Sequence, residues 1–237
     1  MSPVLVSLVA LQSLDTASDS ARKRLAELPA AEQAIATRVA DTASAVDRAH
    51  ARAAENIQAR RALEKDAALV ETRLARFDDH KAAVKTNQEY KALLHEIEIA
   101  RGEKDALEER ILVLLLEADA ISADLTAAEA ARADAAREGE QARAALGAER
   151  STLESDLHRL AAERSREAAA LDPALAAKYD QLLKQRRGLA VVPMHGDTCS
   201  ACRLRLRPHV TQQVRRGDSV VQCESCQRIL YVAPVPP

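Results

Sequence analysis

Apolar side chains recur at alternating steps of four and three residues along two stretches of this chain, and this repeat strongly constrains its fold. The first stretch runs from Ile35 to Val84, and eleven of its fifteen repeat positions are apolar. The second runs from Leu93 to Leu160, and its polar positions are Lys104, Arg132, Glu149 and Asp156. A repeat of about 3.5 residues places one narrow apolar seam along each helix, which is typical of a coiled coil.

The segment between the two seams carries the signal of a helix start. Thr86 and Glu89 have the spacing of a capping box. Residues 2–84 and 86–168 are almost equally long, so a chain reversal near 84–88 lets each helix cover the seam of the other. The sequence therefore predicts a long antiparallel hairpin. One continuous helix in an extended parallel dimer is the alternative, because no Gly or Pro enforces the reversal.

The composition agrees with a mostly α-helical fold that has a thin core. Only 2% of the residues are aromatic and 30% are charged, which fits helices that bury a narrow stripe. Such a composition also fits disorder, but the periodic hydrophobic residues, 47% of the chain, favour helices. No run reaches the roughly 18 to 20 apolar residues of a membrane span, and Val4–Leu11 does not resemble a secretory signal. We therefore expect a cytoplasmic protein that does not bind membranes.

Four cysteines form the most specific chemical motif. They follow the pattern Cys199-x-x-Cys202, twenty residues, Cys223-x-x-Cys226. Two such pairs complete the tetrahedral thiolate shell that zinc prefers, and four thiolates leave no open position on the metal. The pattern predicts one structural zinc ion. Iron in the same shell, or redox-active and incidental cysteine pairs, are the alternatives.

The residue pattern around the cysteines predicts a small β-rich zinc ribbon. Short β-branched runs indicate strands at 189–192, 220–222 and 229–232, and Pro208–Arg216 indicates a short helix. A segment this small buries too little core to fold alone, and zinc binding worth about 10 to 16 kcal/mol supplies the missing stability.

Residues beside the cysteines bear on how the metal would be held. Arg203 and Gln227 stand after the cysteine pairs where Gly is usual, so we expect less favourably placed backbone amides there. His195 and His209 flank the cysteines, and we expect both at the surface rather than on the metal.

These signals divide the chain into four predicted parts. They are a coiled-coil hairpin at 1–170 with a kink or short break near Pro29, a helical connector at 171–188, the C4 zinc ribbon at 189–233, and a disordered tail at 234–237.

The ribbon segment is basic. The segment from Lys184 to Tyr231 contains nine Lys or Arg residues and three acidic residues. The candidate contacts to phosphates or to an acidic partner are Arg203, Arg205, Arg207, Arg215 and Arg216. Because few aromatic side chains are present to stack on bases, a solvated face or an acidic protein partner is favoured over nucleic acid. No phosphate loop, nucleophile elbow or carboxylate pair appears, so we expect neither an enzyme nor a small-molecule substrate.

Two segments also resemble one bacterial family. Cys199-Ser-Ala-Cys-Arg-Leu-Arg-Leu and Gln213–Tyr231 resemble the C4-type zinc-ribbon proteins that carry an N-terminal coiled-coil hairpin, and Thr86–Ile97 is similar to the hairpin turn of that family. The resemblance implies zinc on the four cysteines and a non-enzymatic adaptor or regulator. Its relatives from Helicobacter and Chlamydia bind a nitrogen-type sigma factor, together with a flagellin transcript or secretion components.

Overall fold

The computed structural model describes residues 2–233, so the predicted tail at 234–237 lies outside the described residues. The elements in chain order are α1 Pro3–Lys81, α2 Asn87–Ala169, α3 Pro173–Gln185, β1 Val191–His195, β2 Thr198–Cys199, α4 Pro208–Arg216, β3 Val221–Gln222 and β4 Ile229–Val232. The fold is mostly α-helical, with a hairpin of two long helices followed by a small strand-containing region, as predicted.

The chain divides into two compact units. Unit 1 contains Met1–Glu32 and Ala144–Pro237, and unit 2 contains Gln33–Arg143. Unit 1 therefore holds the open end of the hairpin together with the ribbon, and unit 2 holds the part of the hairpin that includes the chain reversal.

The predicted seams lie between α1 and α2. All fifteen seam positions from Ile35 to Val84 are buried or half-buried; the last of them, Val84, lies just beyond the end of α1. The seam positions on α2 are also buried or half-buried, except Arg132, which is exposed. The helices approach closely at Gly139, where an added Cβ would lie 3.0 Å from Val39 Cγ2. Gly139 is therefore a packing residue of the seam.

Ion pairs beside the seam follow the antiparallel direction. Within unit 2 the α2 partner moves back along the chain as the α1 partner moves forward. The pairs are Arg24–Glu149 and Glu32–Arg150 in unit 1, and Arg38–Glu138, Arg52–Asp124, Glu71–Lys104 and Arg73–Glu103 in unit 2. Most of these side chains are exposed, so the pairs select the alignment of the helices more than they add stability.

The chain reversal occupies residues 82–86 and contains the predicted capping box. The Thr86 N–H donates to Glu89 Oε2, and the Glu89 N–H donates to Thr86 Oγ1, both at 3.2 Å. The two bonds satisfy amides that have no partner inside the first turn of α2.

Pro29 does not break α1, which continues on both sides of it. Proline removes one helical hydrogen bond, and the loss is local. Pro29 itself is exposed, whereas the preceding Leu28 is fully buried in the interface, so packing holds the helix together there.

The ribbon is a four-stranded sheet in the order β2-β1-β4-β3. β1 and β4 are parallel, whereas the two outer pairs are antiparallel. β4 and α4 have their predicted bounds, β1 begins two residues later than predicted, and β2 was not predicted. Sheet and α4 enclose a core that includes Val192, Leu206, Val214 and Leu230.

A second core joins the ribbon to the hairpin inside unit 1. Leu5, Leu8 and Leu11 on the first turns of α1 are at most 1% exposed. They pack with residues from α3, β1 and β4, which are Tyr179, Leu182, Val191 and Ile229. The ribbon is therefore seated on the beginning of α1 and on α3.

None of the helices among residues 2–233 combines the length and the apolar character that crossing a bilayer requires.

Candidate metal centre

The four cysteines meet at one point of the ribbon. Cys199 Sγ lies 3.8 Å from Cys226 Sγ, Cys202 Sγ lies 3.7 Å from Cys223 Sγ, and all four sulfurs lie within 4.8 Å of one another. A tetrahedral zinc ion with Zn–S bonds of about 2.3 Å needs sulfurs about 3.8 Å apart. The arrangement fits one structural zinc ion, held by one sulfur from each cysteine.

The two cysteine pairs are presented by turns with the same hydrogen bonds. The Arg203 N–H donates to the Cys199 carbonyl at 2.9 Å, and the Gln227 N–H donates to the Cys223 carbonyl at 2.8 Å. In addition, the amide of the first cysteine of each turn donates to a carbonyl five residues on, in Leu204 or Arg228. Two equivalent turns that face each other supply the four ligands.

Arg203 and Gln227 take the backbone conformation that the absent glycines would take. Their φ angles are 59° and 64°, in the left-handed region that residues with a Cβ adopt at a cost. The predicted disturbance of the amides does not occur. The backbone N–H groups of Ala201 and Cys202 donate to the Cys199 sulfur. The replacement of the usual Gly by Arg203 and Gln227 thus results in backbone strain at these two residues.

Burial and hydrogen bonds give the thiols different acidities. Burial raises the pKa of Cys199 to about 12 and also raises the pKa of Cys223. Burial acts in the same sense on Cys226, but hydrogen bonds from the backbone and guanidinium of Arg228, together with those of Cys223 and Cys199, outweigh it and lower the pKa of Cys226 to about 7. Cys226 therefore loses its proton to a metal more readily than Cys199 or Cys223.

Arg228 also connects the metal centre to the connector. Its Nε donates to the Leu189 carbonyl at 2.8 Å, and its Nη2 donates to the Arg186 carbonyl at 3.0 Å. Sequence reasoning counted Arg228 only as one positive charge. Its place two residues after Cys226 was the one available signal.

Gln12 on α1 holds the start of β1. Its Oε1 accepts from the amides of Ala190 and Val191 at 2.7 and 3.0 Å, and its Nε2 donates to the Gly188 carbonyl at 2.8 Å. The residue is 8% exposed, so these bonds form away from bulk water. Gln12 fixes the ribbon to the hairpin, and no local pattern in the sequence marked it.

A polar cluster around the buried Tyr179 joins α1, α2 and α3 in unit 1. The Tyr179 hydroxyl donates to Asp15 Oδ2 at 2.8 Å, and Arg164 Nε donates to Asp15 Oδ1 at 2.6 Å. Arg164 also binds Asp180. Burial, and then the nearby Asp15 carboxylate, raise the pKa of Tyr179, while the hydrogen bond to Asp15 raises the pKa of Arg164. The cluster holds α1, α2 and α3 together, with the Tyr179 hydroxyl protonated and Arg164 charged at neutral pH.

The five candidate arginines are all exposed, but they differ in their partners. Arg215 and Arg205 lie 2.9 and 3.9 Å from Asp197, and Arg207 lies 3.4 Å from Glu224. Within residues 2–233, Arg203 and Arg216 form no ion pair. His195 and His209 are exposed and are not part of the cysteine group.

Comparison with known proteins identifies both parts of the chain. A family model described as the CT398-like coiled coil hairpin domain matches residues 11–187, and one described as the C4-type zinc ribbon domain matches residues 198–230. No curated protein matches the chain.

Three solved structures are similar over nearly all of the chain. CT398 from Chlamydia trachomatis has a TM-score of 0.74 at 24% identity and aligns 97% of this chain with 98% of its own. The HP0958 protein from Helicobacter pylori has a TM-score of 0.57 at 15% identity, with 98% of each chain covered. A protein from Mycobacterium smegmatis has a TM-score of 0.60 at 22% identity, with 96% of this chain and 97% of its own covered. At these identities the similarity concerns the fold.

Proposed function

Because the chain belongs to the CT398-like coiled-coil hairpin family and carries a C4 zinc ribbon, we propose that it is a non-enzymatic adaptor or regulatory scaffold that binds protein partners through its hairpin and its ribbon. We place this activity in the cytoplasm, where thiols stay reduced. Sigma factors and secretion or flagellar components, which the resemblance implies, are the first partners to test.

The observation that carries the proposal is the set of contacts that joins the ribbon to α1 and α3. Gln12 binds the backbone on both sides of Leu189, and the Ser2 N–H donates to the Gly217 carbonyl at 2.9 Å. A zinc ion with four thiolates has no open position for a substrate, so its role is to hold structure. A fixed, exposed head on a helical hairpin is suited to presenting surfaces to other proteins.

A pull-down from native extract tests the adaptor role. The zinc-loaded protein is compared with Cys223→Ser/Cys226→Ser and with Ser225→Ala, an exposed residue of the same turn. A protein that the wild type and Ser225→Ala retain, and the double variant loses, docks on the ribbon. A protein that all three retain docks on the hairpin. If none of the three retains a specific protein, the adaptor proposal is wrong.

Binding of nucleic acid by the ribbon is the second candidate function. Arg203 and Arg216 favour it, because both are exposed and neither forms an ion pair within the described residues. Each lysine or arginine that neutralises a phosphate makes binding more sensitive to salt. Arg203→Ala/Arg216→Ala should therefore lower the slope of log affinity against log salt by about two. Absence of RNA and DNA binding even at low salt would exclude this function.

A further inference from the structure

Four large apolar side chains in the middle of α2 point away from the seam. Leu112, Val113, Leu115 and Leu116 are 57%, 50%, 42% and 64% exposed, and we call them the apolar patch. A coiled-coil hairpin needs apolar residues only at its seam, where Ile111 and Leu114 are half-buried. The hairpin therefore does not account for the patch. Contiguous exposed apolar groups of this kind mark interaction sites.

The patch continues into a groove between the two helices of unit 2. The groove has a volume of about 460 Å³ and is lined by Ala59, Ala62, Leu63, Arg110, Val113 and Leu114. The small alanine side chains on α1 lower the surface beside Val113. A third helix can lie along such a depression and pack its own apolar side chains into it.

On α2, carboxylates lie in sequence on both sides of the patch. Between residues 105 and 119, five acidic side chains accompany a single basic one, Arg110. Glu108 lies 3.6 Å from Lys104, whereas the other four form no ion pair within residues 2–233. These four are Asp105, Glu109, Glu117 and Asp119. The part of the rim that α2 provides is therefore negative.

The charge of the rim selects among the molecules that could cover the patch. A second copy of the chain would place carboxylates against carboxylates, and nucleic acids or anionic bilayers would be repelled in the same way. A segment that combines apolar residues on one face with Lys or Arg on its flanks would be attracted. The spacing of the exposed leucines, at positions 112, 115 and 116, matches the face of a helix.

We propose that the apolar patch is the docking site for a positively charged amphipathic helix of a partner protein. This inference rests on the proposed adaptor function and locates one of its binding surfaces. The apolar face of the partner covers Leu112, Val113 and Leu116. Its basic residues pair with Glu109, Glu117 and Asp119.

A synthetic helical peptide of Leu and Lys is the probe, and a peptide with Glu in place of every Lys is its control. Binding to the whole zinc-loaded protein is measured by fluorescence anisotropy. Leu112→Gln/Leu116→Gln should weaken binding at least about tenfold. Leu94→Gln/Ile99→Gln changes two exposed residues elsewhere on α2 and should leave binding unchanged. Because all four positions are exposed, the helical content of both variants should match the wild type.

The charge of the rim is tested separately. Glu109→Gln/Asp119→Asn should weaken binding of the Lys peptide and reduce its dependence on salt. The proposal is wrong if the Glu peptide binds as well as the Lys peptide, or if Leu112→Gln/Leu116→Gln binds like the wild type. It is also wrong if sedimentation shows wild-type dimers that this variant abolishes, because the occupant is then a second copy.

Adding the Leu112→Gln/Leu116→Gln variant to the extract pull-down separates this inference from the function on which it rests. If the wild type and the variant retain the same partners, the adaptor function stands and the patch is not its docking site. If the wild type retains no partner while the Lys peptide still depends on the patch, the adaptor function fails and the binding surface remains.

Discussion

Arg203 and Gln227 show what single residues contribute to the metal centre. Each closes the turn that presents two cysteines, and each has the positive φ angle that glycine adopts without cost. The turns keep their hydrogen bonds, so the chain accepts strain in the backbone while the geometry of the sulfurs is preserved. The two sites are therefore places where a substitution can raise stability.

Arg203→Gly and Gln227→Gly should each stabilise the zinc-loaded protein by about 0.5 to 1 kcal/mol, because relief of the left-handed strain exceeds the added entropy of the unfolded chain. Chemical unfolding at saturating zinc measures the change. Arg205→Gly is the matched control, since Arg205 has no positive φ and should lose stability. If Arg203→Gly and Arg205→Gly lost equal amounts of stability, Arg203 would not be strained.

Tyr179→Phe should destabilise unit 1 by about 1 to 3 kcal/mol, because Asp15 Oδ2 loses its buried donor. Since burial raises the pKa of Tyr179 in the folded state, the contribution of its hydroxyl is complete below the ordinary tyrosine pKa of about 10 and falls at higher pH. The stability difference between wild type and variant should therefore narrow in alkaline buffer.

Tyr231→Phe is the control for that measurement, because the Tyr231 hydroxyl forms no hydrogen bond within residues 2–233. The control should match the wild type at neutral pH, because no buried acceptor loses its donor. A difference between Tyr179→Phe and the wild type that stays constant up to strongly alkaline pH would contradict the assignment.

Zinc affinity should fall as the pH falls. The metal binds thiolates, whereas burial holds the proton on Cys199 with a pKa of about 12, and Cys226 is partly ionised near its pKa of about 7. Each thiol that must release its proton lowers the apparent affinity about tenfold per pH unit. Competition with a chromogenic chelator between neutral and mildly acidic pH measures the slope, and an affinity independent of pH would exclude thiolate ligands.

At the scale of elements, the sequence predicts what local patterns determine. The seam from Ile35 to Val84, the Thr86–Glu89 capping box and the bounds of α4 and β4 are all found in the structure, because each follows from neighbouring residues. The two-residue strand β2 was missed because it overlaps the first cysteine turn. The expected break at Pro29 is absent because the burial of Leu28 outweighs one lost hydrogen bond.

Gly147→Ala should stabilise the hairpin by up to about 1 kcal/mol, since the position is helical and nothing lies within 4 Å of the added methyl group. Gly139→Ala gains the same helix propensity but crowds Val39 and Ile35, so we expect it to be less stable than Gly147→Ala. Thermal unfolding of both variants measures the order. Equal gains would mean that the helices do not approach closely at Gly139.

At the scale of the molecule, the informative contacts join residues far apart in the sequence. Gln12 reaches the start of β1, and Asp15 reaches Tyr179, at separations of 178 and 164 residues. Periodicity and motif spacing describe only residues that are close in the sequence. The sequence therefore indicated the hairpin, the cysteine ligands and the ribbon, but not the contacts that join the ribbon to the hairpin. Three ligands, Cys199, Cys223 and Cys226, also belong to the core of the ribbon.

Removal of zinc should therefore unfold the ribbon while most of the helical structure remains. α1 and α2 contain 79 and 83 residues, and the seam of unit 2 includes no part of the ribbon. With a chelator, the far-ultraviolet circular dichroism should fall only slightly, while trypsin should cut rapidly between Arg203 and Arg216. Parallel loss of the helical signal and of protection in Gln33–Arg143 would show that the hairpin also depends on the metal.

The seat of the ribbon also has a consequence for synthesis. Leu5, Leu8 and Leu11 emerge from the ribosome more than two hundred residues before Ile229, which helps to cover them. At typical translation rates this leaves the three leucines without their final partners for roughly ten seconds or more. A chain released before residue 229 keeps part of this surface uncovered, so an incomplete product displays apolar side chains that chaperones and proteases recognise.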